Sequence, residues 1–319
     1  MKLALLLSII AVLLGILLPM AHTPPPTESP SPLPAASADS TVRFTVQTDE
    51  GIRTATLAEY LPGVLAGEMP ALFQEQALMA QTVAARTYIL HRMTTTAAAH
   101  PDADVCTAPA CCKAYADESS LREGWGDKYA EYAEKIHQAV TATDGIYLTY
   151  EGQPIEAVFH SSSAGATEAS AAIWNPRPYL VSVESPETAE DVPNFVTESV
   201  FSAGTLKALV TKEYPRAVLD EDCSKWLTDL QYSDSGRVRS LCIGGVTLSG
   251  SQVRELLGLR SASFTVSQAG DAFTFTVSGY GHGVGMSQYG ANVYAKQGRS
   301  YEEILAHYYP NTELATVSS

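Results

Sequence analysis

Three stretches of the chain set polar side chains among glycines without hydrophobic periodicity, and they stand far apart: Gly67–Pro70, Phe159–Glu168 and Gly279–Tyr289. Glycines in that setting mark backbone that turns tightly or approaches a ligand closely, although each stretch also reads as an ordinary surface turn. In the first, Glu68 has the chemistry of a general acid, provided that apolar neighbours such as Leu65 and Met69 keep its proton on near neutral pH. Placed just before a helix, the same carboxylate would instead complement the positive end of the helix dipole. Arg86, flanked by Ala84, Ala85 and Thr87, either reaches across a groove or pairs with a carboxylate as structure. His160, followed by Ser161, Ser162 and Ser163, and His282, set between two glycines, can orient a substrate or shuttle protons. A Ser-His-Asp hydrolase would draw on the same residue types, but the chain has no Gly-x-Ser-x-Gly elbow.

The cysteines form a second constellation. His100, Cys106, Cys111 and Cys112 follow the spacing His-x5-Cys-x4-Cys-Cys in a loop rich in Ala and Pro. Four nitrogen and sulfur ligands on one loop suit a tetrahedral zinc with every position filled, hence a structural one. A disulfide from Cys106 to Cys111 or Cys112 is the alternative outside the cytoplasm. Cys223 and Cys242 flank a turn at Ser233–Gly236 and are expected to form a disulfide between strands, two buried thiols being the other possibility.

The elements that must position these groups are legible in part. VRFTVQT and Thr54–Leu57 read as short strands. Pro70 suits the first turn of a helix running through ALFQEQALMAQTVAARTYILHRM, with Phe73, Ala77, Ala80, Ala84 and Tyr88 on one face. A second helix spans about Lys128 to Thr141 and stops at Asp144-Gly145. IYLTY and IEAVFHSSS read as a hairpin around EGQP. SQVRELLGL reads as a helix, ASFTVS and AFTFTVS as paired strands, and MSQYGANVYAKQ and SYEEILAHYY as two closing helices. Without a βαβ rhythm, the expected class is α+β, mixed helices and antiparallel sheets in one exported domain.

Export is read from the N-terminus. Lys2 precedes an apolar run from Leu3 to Leu18 that nearly spans a bilayer. Residues 1–21 are expected to be an uncleaved single-pass anchor, with a cleaved signal peptide as rival. Residues 22–41, rich in Pro and Ser, form a solvated spacer, and the domain occupies residues 42–319. The net charge of −15, with no run of Lys or Arg, argues against nucleic acid as a partner.

Four blocks of the sequence, in order from about residue 52 to 314, resemble the stage II sporulation protein D family: EYLPGVLAGEMPALFQEQALMAQTVAARTYIL, FHSSSAGATE with IWNPRPYLVSVESP, GRVRSLCIGGVTLSGSQVRELLGLRSASFTV, and GYGHGVGMSQYGANVYAKQGRSYEEILAHYYPNTEL. Amidase-enhancer proteins share this signature. The resemblance implies a lytic transglycosylase of peptidoglycan, acting on glycan strands stripped of stem peptides while the forespore is engulfed. It makes Glu68 the catalytic acid and Arg86, the motif's downstream arginine, a second catalytic residue. A planar guanidinium there is expected to hold bidentately a free lactyl carboxylate left by removal of the stem peptide. Polar groups of the two glycine-containing loops, His160, Ser161, Ser162, Ser163, His282, Gln288 and Tyr289, would hold the sugars. The family commonly has Gly where Ala164 stands. A similar His/Cys set occurs in some members, commonly with His where Cys111 stands. Implied partners are glycan strands, a wall amidase and membrane proteins of the engulfment machinery, with the domain outside the cell membrane. A non-enzymatic enhancer of an N-acetylmuramoyl-L-alanine amidase is the alternative.

Overall fold

In the computed structural model the described residues are 37–95, 99–108 and 111–317. The expected anchor, and all of the spacer up to residue 36, lie outside them. Among the described residues no helix is long and apolar enough to cross a membrane.

The architecture is α+β, with helices packed among small sheets whose pairings are mostly antiparallel. At its centre is the helix Glu75–Met93, buried from Ala77 to Ile89. Its alanines give it a slim profile, so other elements close on it from all sides: the helices Leu57–Glu68, Tyr129–Ala142, Gln288–Lys296 and Tyr301–Tyr308, and the strand Ile146–Tyr150. A second apolar cluster forms where the strands Phe264–Ala269 and Ala272–Ser278 bury Phe264, Phe273 and Phe275 against Leu206, Trp226 and Val253. Each fully buried aromatic there contributes about 1.5–3 kcal/mol of transfer free energy.

Several expectations need correcting. Leu57–Glu68 is itself a helix, started by a capping box in which Thr56 and Glu59 satisfy each other's backbone N–H. Pro62 lies inside it, which is why the segment reads as irregular in sequence. The next helix begins only at Glu75, so Pro70 belongs to the connection between the two. The expected hairpin is short: Ile146–Tyr150 pairs with Gln153–Pro154 on one side and Glu313–Thr316 on the other. Phe159–His160 pairs instead, in parallel, with Met286–Ser287. That pairing joins two of the three glycine-containing stretches.

The expected disulfide between Cys223 and Cys242 does not form, nor does the alternative one at Cys106, and all five cysteines are free. The register sets Cys242 opposite Thr228, while Cys223 lies in a separate 3-10 turn and accepts a hydrogen bond from Gln268 at 3.1 Å.

Folding starts earlier than expected, within the stretch read as spacer. Asp39, in the helical turn Ala38–Thr41, is 1% exposed. Its two carboxylate oxygens accept from Nε and Nη2 of Arg86 at 2.7 and 2.6 Å, and Arg86 Nη1 donates to the carbonyl of Ile146 at 2.9 Å. Arg86 is 0% exposed. A guanidinium so placed has no route to a groove, which corrects the reading of Arg86 as a substrate contact. Removing one partner of a buried ion pair leaves a desolvated charge and costs about 3–5 kcal/mol. Asp39→Ala should therefore lower the stability of the chain by about that amount, read as a shift in the urea midpoint. An unshifted midpoint would show that the pair holds nothing together.

Candidate functional site

Glu68 is the last residue of the helix Leu57–Glu68. The dipole at that end is opposite in sign to the one expected for a residue preceding a helix. Its carboxylate is half-buried and held by two donors from distant parts of the chain. The backbone N–H of Ala114 reaches Oε1 at 2.7 Å, and the side-chain amide of Gln288 reaches Oε2 at 3.1 Å. The first contact explains the glycines of the preceding helix. A Cβ on Gly67 would lie 3.1 Å from the backbone of Ala114, and one on Gly63 would lie 2.4 Å from the ring of Tyr115. Glycine at these positions lets segment 114–116 lie flat on the helix. Tyr115 stacks on Tyr60 there, with ring centroids 4.9 Å apart.

Around Glu68 opens a cleft of about 680 Å3. Lys113 forms part of its floor, with Nζ 4.1 Å above the ring centroid of Tyr88 and 3.8 Å from that of Phe159. Burial pushes the ammonium down to about 8, while the charges of Glu68 and Glu156 oppose that shift. Lys113 thus remains cationic at neutral pH, caged by two aromatic faces. Glu156 also lines the cleft and pairs with Arg177 at 3.1 Å.

The histidines meet at the cleft wall, His160 and His282 having ring centroids 5.6 Å apart. Burial, then the charges of His282 and Arg237, hold His160 well below the usual range. Neutral His160 donates from Nδ1 to the Val284 carbonyl at 3.2 Å, so its Nε2 accepts from the hydroxyl of Ser163 at 2.7 Å. Ser163 is 0% exposed, and no carboxylate orients the imidazole. This arrangement excludes the hydrolase reading of Ser and His.

The sugar-contact set divides accordingly. His160, Ser161, His282 and Gln288 line the cleft. Ser162 and Ser163 lie wholly beneath its surface, and Tyr289 packs edge-on against Phe73 at 5.0 Å rather than facing the cleft. Residues not foreseen are Lys113, Glu156, Trp174, Arg254 and Tyr280. Lys113 directly follows the Cys-Cys pair, and Trp174 lies within IWNPRPYL, so both had a positional signal. Arg254, one polar residue on a short helix, had none.

Next to Lys113, and with Cys111 and Cys112 themselves lining the cleft, one ligand atom from each of His100, Cys106, Cys111 and Cys112 lies within 4.8 Å of the others. Nδ1 of His100 donates to the Ala103 carbonyl at 2.8 Å, which leaves Nε2, 3.1 Å from Cys112 Sγ, as the free donor atom of the ring. Burial and the neighbouring thiols push Cys111 up to about 12. One imidazole and three crowded thiols are a donor set that fits zinc.

Comparison with known proteins places this geometry in context. A family model described as stage II sporulation protein matches residues 47–150. The chain is 37% identical to stage II sporulation protein D of Bacillus amyloliquefaciens, the match covering 85% of this chain and 78% of that protein. With stage II sporulation protein D of Bacillus subtilis (strain 168) it shares 37% identity over 84% of this chain and 76% of that protein. An amidase enhancer of the same Bacillus subtilis strain is 28% identical, matching 80% of this chain and 40% of the enhancer.

The histidines generate a pH prediction. His282 is pushed down to about 3, first by burial and then by the charges of Lys113, Arg254 and Arg237, from an ordinary value of 6.5. Between those values the unfolded imidazole binds a proton that the folded one refuses, so stability falls as pH drops through that window. The urea midpoint should decline from about pH 6.5 toward 3, with His282→Gln flattening part of the decline. An equally steep decline in the variant would contradict the assignment.

Proposed function

The chain belongs to the stage II sporulation protein D family, a sporulation family, and from that premise we propose that it cleaves peptidoglycan glycan strands as a lytic transglycosylase with Glu68 as its acid and base. The observation that carries this reading is the fixed carboxylate of Glu68 in a cleft wide enough for sugars. Each oxygen of Glu68 accepts one hydrogen bond, and a carboxyl group has about four lone-pair positions, so room remains for the transferred proton. Glu68 gives that proton to the leaving glycosidic oxygen. It then takes one from the C6 hydroxyl of the muramic acid ring, which closes on its own anomeric carbon. Such a reaction needs no second protein carboxylate, unlike hydrolysis. The cation of Lys113 faces Glu68 as it becomes anionic and so favours the donating step.

Glu156 supports a second reading, hydrolysis with Glu156 activating water. It is disfavoured because Glu156 is already engaged by Arg177. The amidase-enhancer relative supports a third, a wall-binding protein without chemistry of its own. In the leading reading a wall amidase supplies the peptide-stripped strands, and the chain works beside it and the membrane proteins of engulfment, outside the cell membrane.

We assign zinc to His100, Cys106, Cys111 and Cys112 as a structural ion. With four protein ligands it supplies no open position for water or sugar. Its importance to the site is mechanical, since Cys112 is followed by Lys113 and then by Ala114, the residue whose N–H holds Glu68.

Two measurements follow. Glu68→Gln should melt like the parent yet lose about a hundredfold or more of its cleavage of peptide-stripped glycan, whereas Glu156→Gln should retain most of it. Undiminished cleavage by Glu68→Gln would end the proposal, and loss in Glu156→Gln would favour hydrolysis. Protein purified under reducing conditions without added metal should carry one zinc per chain, and a strong chelator should lower its melting temperature. Protein that is fully folded and free of zinc would remove the ion from the account.

A further inference from the structure

The lining of the cleft combines residues of two kinds. Besides Glu68, Lys113 and Gln288 it includes Trp174, Tyr280 and Arg254. Trp174 and Tyr280 are 44% and 45% exposed, and Trp174 lies 5.0 Å from the ring of His282. They offer flat apolar faces to a sugar ring.

Arg254 lines the same cleft from the helix Gly250–Leu257, which is fixed by a capping box of Ser249 and Gln252 and by burial of Val253 and Leu257 in the second core. Its side chain makes no ion pair and no hydrogen bond with any described residue, and its Nε is buried without a partner. Arg237, whose three guanidinium nitrogens are buried without a partner, and Arg260, whose Nε is likewise unpartnered, are not among the residues that line this cleft. The cations near the centre are otherwise engaged. Arg86 is saturated by Asp39, Arg177 holds Glu156, Arg260 lies 4.2 Å over the ring of Tyr280, and Lys113 is caged by Tyr88 and Phe159. A half-buried guanidinium fork without an acceptor costs free energy that an incoming carboxylate would recover.

Building on the proposed reaction, we infer that Arg254 is the specificity residue that binds the free lactyl carboxylate of a muramic acid ring resting against Trp174. In a strand that still carries its stem peptide, that carboxylate is a neutral amide. It accepts a hydrogen bond but has no charge for the guanidinium to pair with. This role was expected of Arg86, whose burial rules it out.

The contact is tested by binding, separately from cleavage. The full chain carrying Glu68→Gln, which keeps the sugar intact, is titrated with peptide-stripped muramyl oligosaccharides and with the same oligosaccharides converted to methylamides. Amidation should weaken binding about tenfold or more, the weight of a charge-assisted pair. Adding Arg254→Gln should cost a similar factor on the free acid and abolish sensitivity to amidation. Arg254→Lys should fall between the two, because an ammonium keeps the charge and loses the fork. It also serves in place of Arg254→Gln if that variant fails to fold. An Arg254→Gln protein that still prefers the free acid by the full factor overturns the inference, as does the absence of binding to either oligosaccharide. The predicted pattern in a chain whose parent cleaves nothing would sustain the Arg254 contact and remove the lyase reading. Cleavage by the parent with no effect of Arg254 would do the reverse.

Discussion

A charge placed in the centre of a protein dictates what surrounds it, and here that charge is Arg86. The helix that carries it is buried along most of its length, so water cannot solvate the guanidinium. Asp39 and the Ile146 carbonyl must do so instead. The same carboxylate of Asp39 accepts from the backbone of Gly145. One ion pair thus ties the helical turn Ala38–Thr41, the central helix and the start of the strand Ile146–Tyr150 into a single arrangement. The strand then leads the chain toward Glu156 and His160 at the cleft. Arg86 and Glu68 therefore bear on one cleft in different ways, Arg86 by fixing the scaffold and Glu68 by lining the cleft itself.

The cleft is built by convergence. Ala114 and Gln288, 46 and 220 residues beyond Glu68 in sequence, come to its two carboxylate oxygens. The parallel pairing of Phe159–His160 with Met286–Ser287 brings the second and third glycine-containing stretches side by side. Gly63 and Gly67 admit the segment that delivers Ala114. The thiol cluster sits immediately before that segment, so a metal cross-link there, as proposed, would act on the position of Glu68 through two residues of backbone. A loop with little apolar surface of its own would in that way fix the Glu68 carboxylate.

The sequence revealed what depends on local pattern and hid what depends on long-range pairing. The central helix, the helices Tyr129–Ala142 and Gly250–Leu257, and the strands Phe264–Ala269 and Ala272–Ser278 carry their own periodicity and were legible. Leu57–Glu68 was hidden by Pro62 and its glycines, whose reason lies in Tyr115 and Ala114, more than forty residues away. For the same reason Glu68 was read as preceding a helix when it ends one. Asp39 looked like part of a solvated spacer because its partner is 47 residues distant. The His/Cys cluster was legible from spacing alone, whereas Lys113 required knowing that Tyr88 and Phe159 meet. The lining role of Arg254 is set by the packing of its helix against the second core, which no local pattern records.

The central claim is that Glu68 serves as both acid and base and that the nucleophile belongs to the sugar. The most direct measurement is mass spectrometry of peptide-stripped glycan strands digested by the purified protein. The account predicts new ends with a 1,6-anhydro ring, lighter by one water than the corresponding hydrolysis products, and without incorporation of heavy oxygen from labelled water. Products that are full reducing sugars bearing the label would contradict it.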